Sequence, residues 1–182
     1  MKRSKLLLFT FITEGFALML ALLLARYLHI QLFPLTGNIA RDILLGSFGA
    51  AIPFSLFVFI LSGKSGKIPF ANSLRQTITG YLKPLFSHLT LLDMCIISLL
   101  AGFAEELLFR GVAQNKIGIF AASIIFGLLH FISPAYFVIA FLISIYLGFL
   151  YYYFQSLLIP VQAHFVYDVC ALIYLRQLKK IK

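Results

Sequence analysis

Six apolar stretches follow one another along this chain, at about 6–28, 43–61, 91–112, 117–131, 135–154 and 157–175. A hydrocarbon core roughly 30 Å thick takes about 20 residues to cross as helix. Five of the stretches meet or approach that length; the fourth is short and reads as a tilted or re-entrant segment. The loops between them are too short to hold a second domain. The expected fold is therefore all-α, a polytopic transmembrane bundle of about six spans. Composition agrees: 62% of the 182 residues are hydrophobic, 12% are charged and the mean hydropathy is +0.99. A soluble domain of this size has too little interior to hide so much apolar area. The first stretch follows Lys2, Arg3 and Lys5 as a secretory signal would. It runs too long for one and lacks a small-residue cleavage site, so it is read as a retained helix. Cys95 and Cys170 lie inside apolar helices without partner spacing and indicate neither a disulfide framework nor a zinc motif.

The net charge of +9 is explained by where the basic residues fall. With the N-terminus in the cytoplasm, Lys2, Arg3, Lys5, Lys64, Lys67, Arg75, Lys83, Arg176, Lys179, Lys180 and Lys182 lie inside. Arg26, Arg41, Arg110 and Lys116 lie on or toward the other side. This bias follows the positive-inside rule. It puts both termini of a multi-pass cell-membrane protein in the cytoplasm and makes anionic lipid, not nucleic acid, the counter-charge. Between the second and third stretches, Phe70, Leu74, Ile78, Leu82 and Phe86 recur every four residues with polar residues between them. That spacing predicts an amphipathic helix at the cytoplasmic interface, ended or kinked by Pro84. The chain divides into an N-terminal hairpin with this helix (1–90), a helical core (91–176) and a basic tail (177–182).

Ionisable groups inside spans are costly and mark cavities or pathways. The third stretch carries Glu105, Glu106 and Arg110, the fourth ends at His130, and the sixth carries His164 and Asp168. Glu106 and Arg110, four apart, can pair on one helical face. Glu105 is then the unpaired carboxylate. His164 and Asp168 share the same spacing and project from one face. With turns near 115–118 and at Gln155, a rise of 1.5 Å per residue puts Glu105, Glu106, His130, His164 and Asp168 roughly 14–20 Å from the outer face. That is near mid-membrane, so convergence on one cavity is expected.

At these residues the sequence resembles the CAAX-protease and bacteriocin-processing family, also called the Abi family. Its signature is Glu-Glu-x-x-x-Arg, then Phe-x-x-x-His, then His-x-x-x-Asn or Asp. All three motifs are present in order, as Glu105-Glu106 to Arg110, Phe126 to His130 and His164 to Asp168, across about 91–175. The resemblance implies an all-helical intramembrane endopeptidase with a water-filled cavity at its active site. Its members trim prenylated CAAX proteins or are linked to peptide maturation and bacteriocin self-immunity.

Residue chemistry fits that activity. Amide hydrolysis needs an activated water, a donor for the oxyanion and a proton for the leaving amine. Glu105 is the candidate general base, His130 holds or polarises the water, and His164, oriented by Asp168, donates to the oxyanion. Where Asn stands at the last position in many relatives, it can donate a hydrogen bond; an ionised Asp168 cannot. Glu105, His130 and His164 are also the candidate ligands of a divalent metal such as zinc, although the histidines lack the compact His-Glu-x-x-His spacing. The expected partners are a peptide or membrane-protein substrate and the lipid bilayer. Two other readings compete with the peptidase. One is a non-catalytic bacteriocin self-immunity or scaffold protein that keeps the fold. The other is a proton-coupled transporter, against which stand the small size and the lack of an inverted repeat.

Overall fold

The computed structural model describes residues 2–62 and 66–178. Lys64, Lys179, Lys180 and Lys182, and with them most of the expected tail 177–182, lie outside the described residues. The described residues form helices and turns, with no strand among them. In chain order these are α1 (Arg3–Tyr27), α2 (Ile39–Gly49), α3 (Ala51–Leu61), α4 (Pro69–Thr77), α5 (Lys83–Phe86), α6 (Leu91–Glu106), α7 (Gln114–Leu129), α8 (Pro134–Phe154) and α9 (Leu158–Gln177). π-helical stretches at Ile78–Leu82 and Leu107–Ala113 join α4 to α5 and α6 to α7.

Four helices are long and apolar enough to cross a membrane: α1, the joined pair α2–α3, α8 and α9. The expected third and fourth spans form one helical run, Leu91–Leu129, bent by 115° from the preceding Pro69–Phe86. Gly118, at φ 81° and ψ 167°, breaks it. The ring of Phe109 meets that of Phe126 edge-on at 5.0 Å, so the chain doubles back midway between them. The arm beyond Gly118 has about 11 residues, or about 16 Å of helix, half of a bilayer core. The other expected reversal is also found: Gln155 caps α8 in the left-handed region at φ 51°. The molecule is a polytopic helical membrane bundle.

Local sequence explains how the helices begin. Thr90 and Asp93 form a reciprocal capping box at the start of α6, which supplies two otherwise unpaired N–H groups with acceptors. Asp93 also receives Arg3 Nε at 2.6 Å, tying the start of α1 to the start of α6. Asn38 accepts from the Arg41 N–H at the start of α2. The predicted amphipathic helix is present but continuous to Phe86. The π turn at Ile78–Leu82 precedes Pro84 and accommodates the backbone bond that proline cannot make. Leu74 and Ile78 are buried against Phe57, Ile60, Ala135 and Leu175, so this helix closes one end of the bundle.

α9 is the central element, packed against α2 on one side and α6 on the other. Glycines set both distances. A Cβ on Gly46 would lie 2.6 Å from Gln162 Cβ and 2.7 Å from the Ile159 carbonyl oxygen; one on Gly102 would lie 3.1 Å from Phe165 N and from Val161 O. Small residues let helix backbones approach where the lipid alternative is equally apolar. A buried polar knot fastens the same end: Asp42, fully buried, accepts from Ser156 Oγ, Thr36 Oγ1 and Arg41 Nε and so joins the α1–α2 loop to the α8–α9 turn. Gly46→Leu is expected to force α2 from α9 and to cost about 1–3 kcal/mol, read as a lowered unfolding midpoint in detergent. Gly15→Leu, with open space around that position, serves as the control.

Candidate active site

The motif residues from three separate stretches meet. Glu106, at the end of α6 and fully buried, accepts from Arg110 Nη1 at 2.9 Å and pairs with His164 Nδ1 at 2.8 Å, both through Oε1. Arg110, 1% exposed, is held by more than its carboxylate. Its Nη2 donates to the Ser144 carbonyl at 2.7 Å and to Ser144 Oγ at 3.0 Å, and Ser144 Oγ donates on to Ser123 Oγ. The guanidinium also lies over the Phe126 ring, 5.4 Å from its centroid. One turn later Gln114 Nε2 donates to the Gly148 carbonyl at 3.0 Å. Arg110 and Gln114 thus fix the π-helical stretch to α8. The expected Glu106–Arg110 pair is present, but Arg110 does not snorkel toward a face. It spends its donors inside the bundle, where an unpaired charge would be most expensive.

Glu105, one residue earlier on the helix, points elsewhere. Its Oε1 is 3.6 Å from His130 Nε2, and its Oε2 is buried with no hydrogen-bond partner among the described residues. His130 Nδ1 is bonded to the Phe126 carbonyl oxygen at 2.9 Å and its ring stacks on Phe126 at 4.2 Å between centroids. With Nδ1 as the donor N–H, Nε2 is the lone-pair nitrogen and faces Glu105. The Phe-x-x-x-His spacing therefore has a physical meaning here: the residue four back supplies both the acceptor that orients the imidazole and the face it stacks on.

His164 is buried and uses both nitrogens, with Nδ1 on Glu106 and Nε2 3.5 Å from Asp168 Oδ2. Glu106, already the acceptor for Arg110, requires a proton on Nδ1. The orientation of His164 thus comes chiefly from Glu106. The expectation that Asp168 orients it describes the weaker of the two contacts, because the chain brings the fully buried Glu106 closer than the half-exposed Asp168.

Glu105, His130, His164 and Asp168 line a cavity of about 490 Å³ together with Tyr136, Tyr167 and a largely apolar wall from α1, α3, α4, α6, α8 and α9. One lining residue was missed by the sequence reading. Glu14, in the middle of α1, faces the same cavity. Its signal was present: it is an ionisable residue inside the first apolar stretch, the feature that marked the other sites. Among the described residues no group of three or more His, Cys, Asp and Glu side chains is arranged to hold a metal ion. Of the expected trio, Glu105 and His130 are neighbours, while His164 is committed to Glu106 and Asp168. Cys95 and Cys170 are free and only half-buried.

Arg110→Met leaves the Glu106 carboxylate buried with His164 alone beside it. The expected loss is about 3–5 kcal/mol of stability, measured by unfolding in detergent. Adding Glu106→Gln is expected to recover part of that loss, since the double variant buries no charge at this position.

Comparison with known proteins bears on the segment that carries these residues. No solved structure matches the chain. Over 92 residues it is 40% identical to the uncharacterized protein YpbD of Bacillus subtilis (strain 168), a stretch covering 49% of this chain and 49% of that protein. The likeness thus spans about half the length of the curated relative. Residues 87–170 match the family described as type II CAAX prenyl endopeptidase, Rce1-like. That segment contains all three motifs, from Glu105 through Asp168. Over residues 87–170, a little under half of its length, the chain is thus similar to the Rce1-like family of type II CAAX prenyl endopeptidases.

Proposed function

We propose that this chain is an intramembrane endopeptidase that hydrolyses a peptide bond with a water activated by Glu105. The observation that carries this reading is the state of the two adjacent glutamates. Each has a buried Oε2 without a hydrogen-bond partner among the described residues, but Glu106 Oε1 is taken by both Arg110 and His164 behind the wall, whereas Glu105 lines the cavity that also reaches His130 and His164. Paired acids in such different surroundings take different roles.

In the proposed reaction a water between Glu105 and His130 Nε2 loses a proton to the Glu105 carboxylate as its oxygen bonds to the scissile carbonyl carbon. The carbonyl π electrons move to oxygen, and the resulting oxyanion accepts from His164 Nε2–H in its imidazolium form. Glu106 holds the ring by Nδ1, so this donor is oriented before the reaction and costs no reorganisation during it. The proton taken by Glu105 then passes to the amide nitrogen, the C–N bond breaks, and a carboxylic acid and an amine leave. Asp168, an acceptor only, stabilises the imidazolium and gives no bond to the oxyanion. A membrane-associated peptide or protein is the substrate of this reading, and the family description makes a prenylated C-terminus one chemistry to test.

The test is turnover of quenched fluorescent peptides, with and without a prenylated C-terminal Cys, by the purified full chain in detergent. Glu105→Gln and His164→Ala are each expected to lower kcat by about 10²-fold or more. Absence of turnover on every peptide, or turnover that survives Glu105→Gln, would overturn the proposal. A chelator arm on the wild type reads metal dependence separately. We further propose that both termini face the cytoplasm, on the charge bias of the loops. Single cysteines introduced at Lys2 and Leu178 should then react with an impermeant maleimide only in inverted vesicles; labelling in right-side-out vesicles would reverse the topology.

A further inference from the structure

α1 does more than wall off the cavity. It runs parallel to α6: Arg3 pairs with Asp93, Leu6 clusters with Met94 and Ile97, and Ala21 and Ala25 cluster with Leu107 and Val112. These pairings keep an offset of roughly 86–90 residues, so Glu14 stands level with about residue 102 of α6, between Ser98 and Glu105 and within roughly one helical turn of each. Leu6, Phe9, Thr10, Thr13 and Glu14 all line the cavity, the spacing of one helical face.

Glu14 has no committed donor. The contact from Thr13 Oγ1 is long, 3.4 Å, and that hydroxyl has one proton, better placed on the carbonyl oxygens of Thr10 at 3.0 Å and Phe9 at 3.1 Å. Across the cavity, Ser98 lies on the same face of α6 as Glu105, is 1% exposed, and its Oγ has no hydrogen-bond partner among the described residues. A buried hydroxyl and an intramembrane carboxylate left without partners are expensive unless a ligand supplies them. The cavity lining is also acidic in balance, with three carboxyl side chains against the imidazolium of His164. Glu14, Glu105 and Asp168 line it with two histidines, and among the described residues no lysine or arginine does; Arg110 is spent on Glu106 behind the wall. Apolar walls with one sign of charge concentrate the opposite sign.

We propose that Glu14 and Ser98 form a subsite for a cationic side chain, lysine or arginine, of the substrate peptide. The proposal rests on the peptidase reading and narrows its substrate. An ammonium or guanidinium supplies donors to both orphaned acceptors at once, about one turn from Glu105, and so places the cationic residue next to the scissile bond. A free C-terminal carboxylate in this position would meet Glu14 and no lysine or arginine.

The experiment uses the full chain in nanodiscs and two quenched fluorescent peptides that differ only in lysine or norleucine beside the scissile bond. The wild type is expected to prefer the lysine peptide by about tenfold in kcat/KM. Glu14→Gln should erase that ratio, Glu14→Asp should keep part of it, and Ser98→Ala should reduce it. A wild-type ratio of one, or a ratio unchanged by Glu14→Gln, overturns the subsite while leaving the peptidase intact. If neither peptide is cleaved, the peptidase reading fails by itself, and binding of the same peptides by fluorescence anisotropy decides the subsite. Tighter binding of the lysine peptide that Glu14→Gln abolishes supports it; equal binding overturns it.

Discussion

The ion pair between Glu106 and Arg110 lies where water cannot reach either partner, and the neighbouring structure is organised around the cost of that placement. A charge removed from water must be met by charge and by hydrogen bonds together. Arg110 meets this by taking Glu106, the carbonyl and hydroxyl of Ser144, and the face of Phe126. Each contact comes from a different element, so the pair fastens α6, α7 and α8 to one another. The third member, His164, brings in α9 through the same carboxylate oxygen. The π-helical stretch from Leu107 to Ala113 contains Arg110 and directly follows Glu106. Such local widening is often found at functional sites because it turns side chains out of ordinary helical register.

The pairing of Glu106 with Arg110 and His164 gives Glu105 its different character. Adjacent residues on a helix point about 100° apart, so one glutamate can face the packed interior while the other faces the cavity. The interior one is structural and orienting. The cavity one has a free oxygen, an imidazole beside it and room for a substrate. Catalytic preorganisation of this kind depends on groups whose own positions are already fixed. His130 and His164 are fixed by the Phe126 carbonyl and by Glu106, respectively. Gly102 and Gly46 contribute at a distance by letting α9 approach α6 and α2 closely enough for His164 to reach Glu106.

The cavity itself is a product of parts remote in sequence. The wall that carries the three motifs lies within 87–170, whereas α1, α3 and α4 supply the opposing apolar wall and Glu14. The family resemblance therefore covers the motif residues, and the helices outside it shape the space around them.

The apolar stretches, the helical class and the three motifs were legible in the sequence because each depends on local spacing: about 20 residues to cross a bilayer, four residues to bring two side chains to one helical face. Gly118 and Gln155 fall at the expected reversals. Residue types also allowed the Glu106–Arg110 pair to be read correctly. Tertiary structure alone decided that Glu106 and not Asp168 is the nearer partner of His164, that the helix ending at Phe86 closes the bundle, and that Glu14 faces Glu105 across a shared cavity. Those facts depend on which helices become neighbours, and neighbourhood is set by the close approach that glycines permit and by the satisfaction of buried charge, neither of which has a period along the chain.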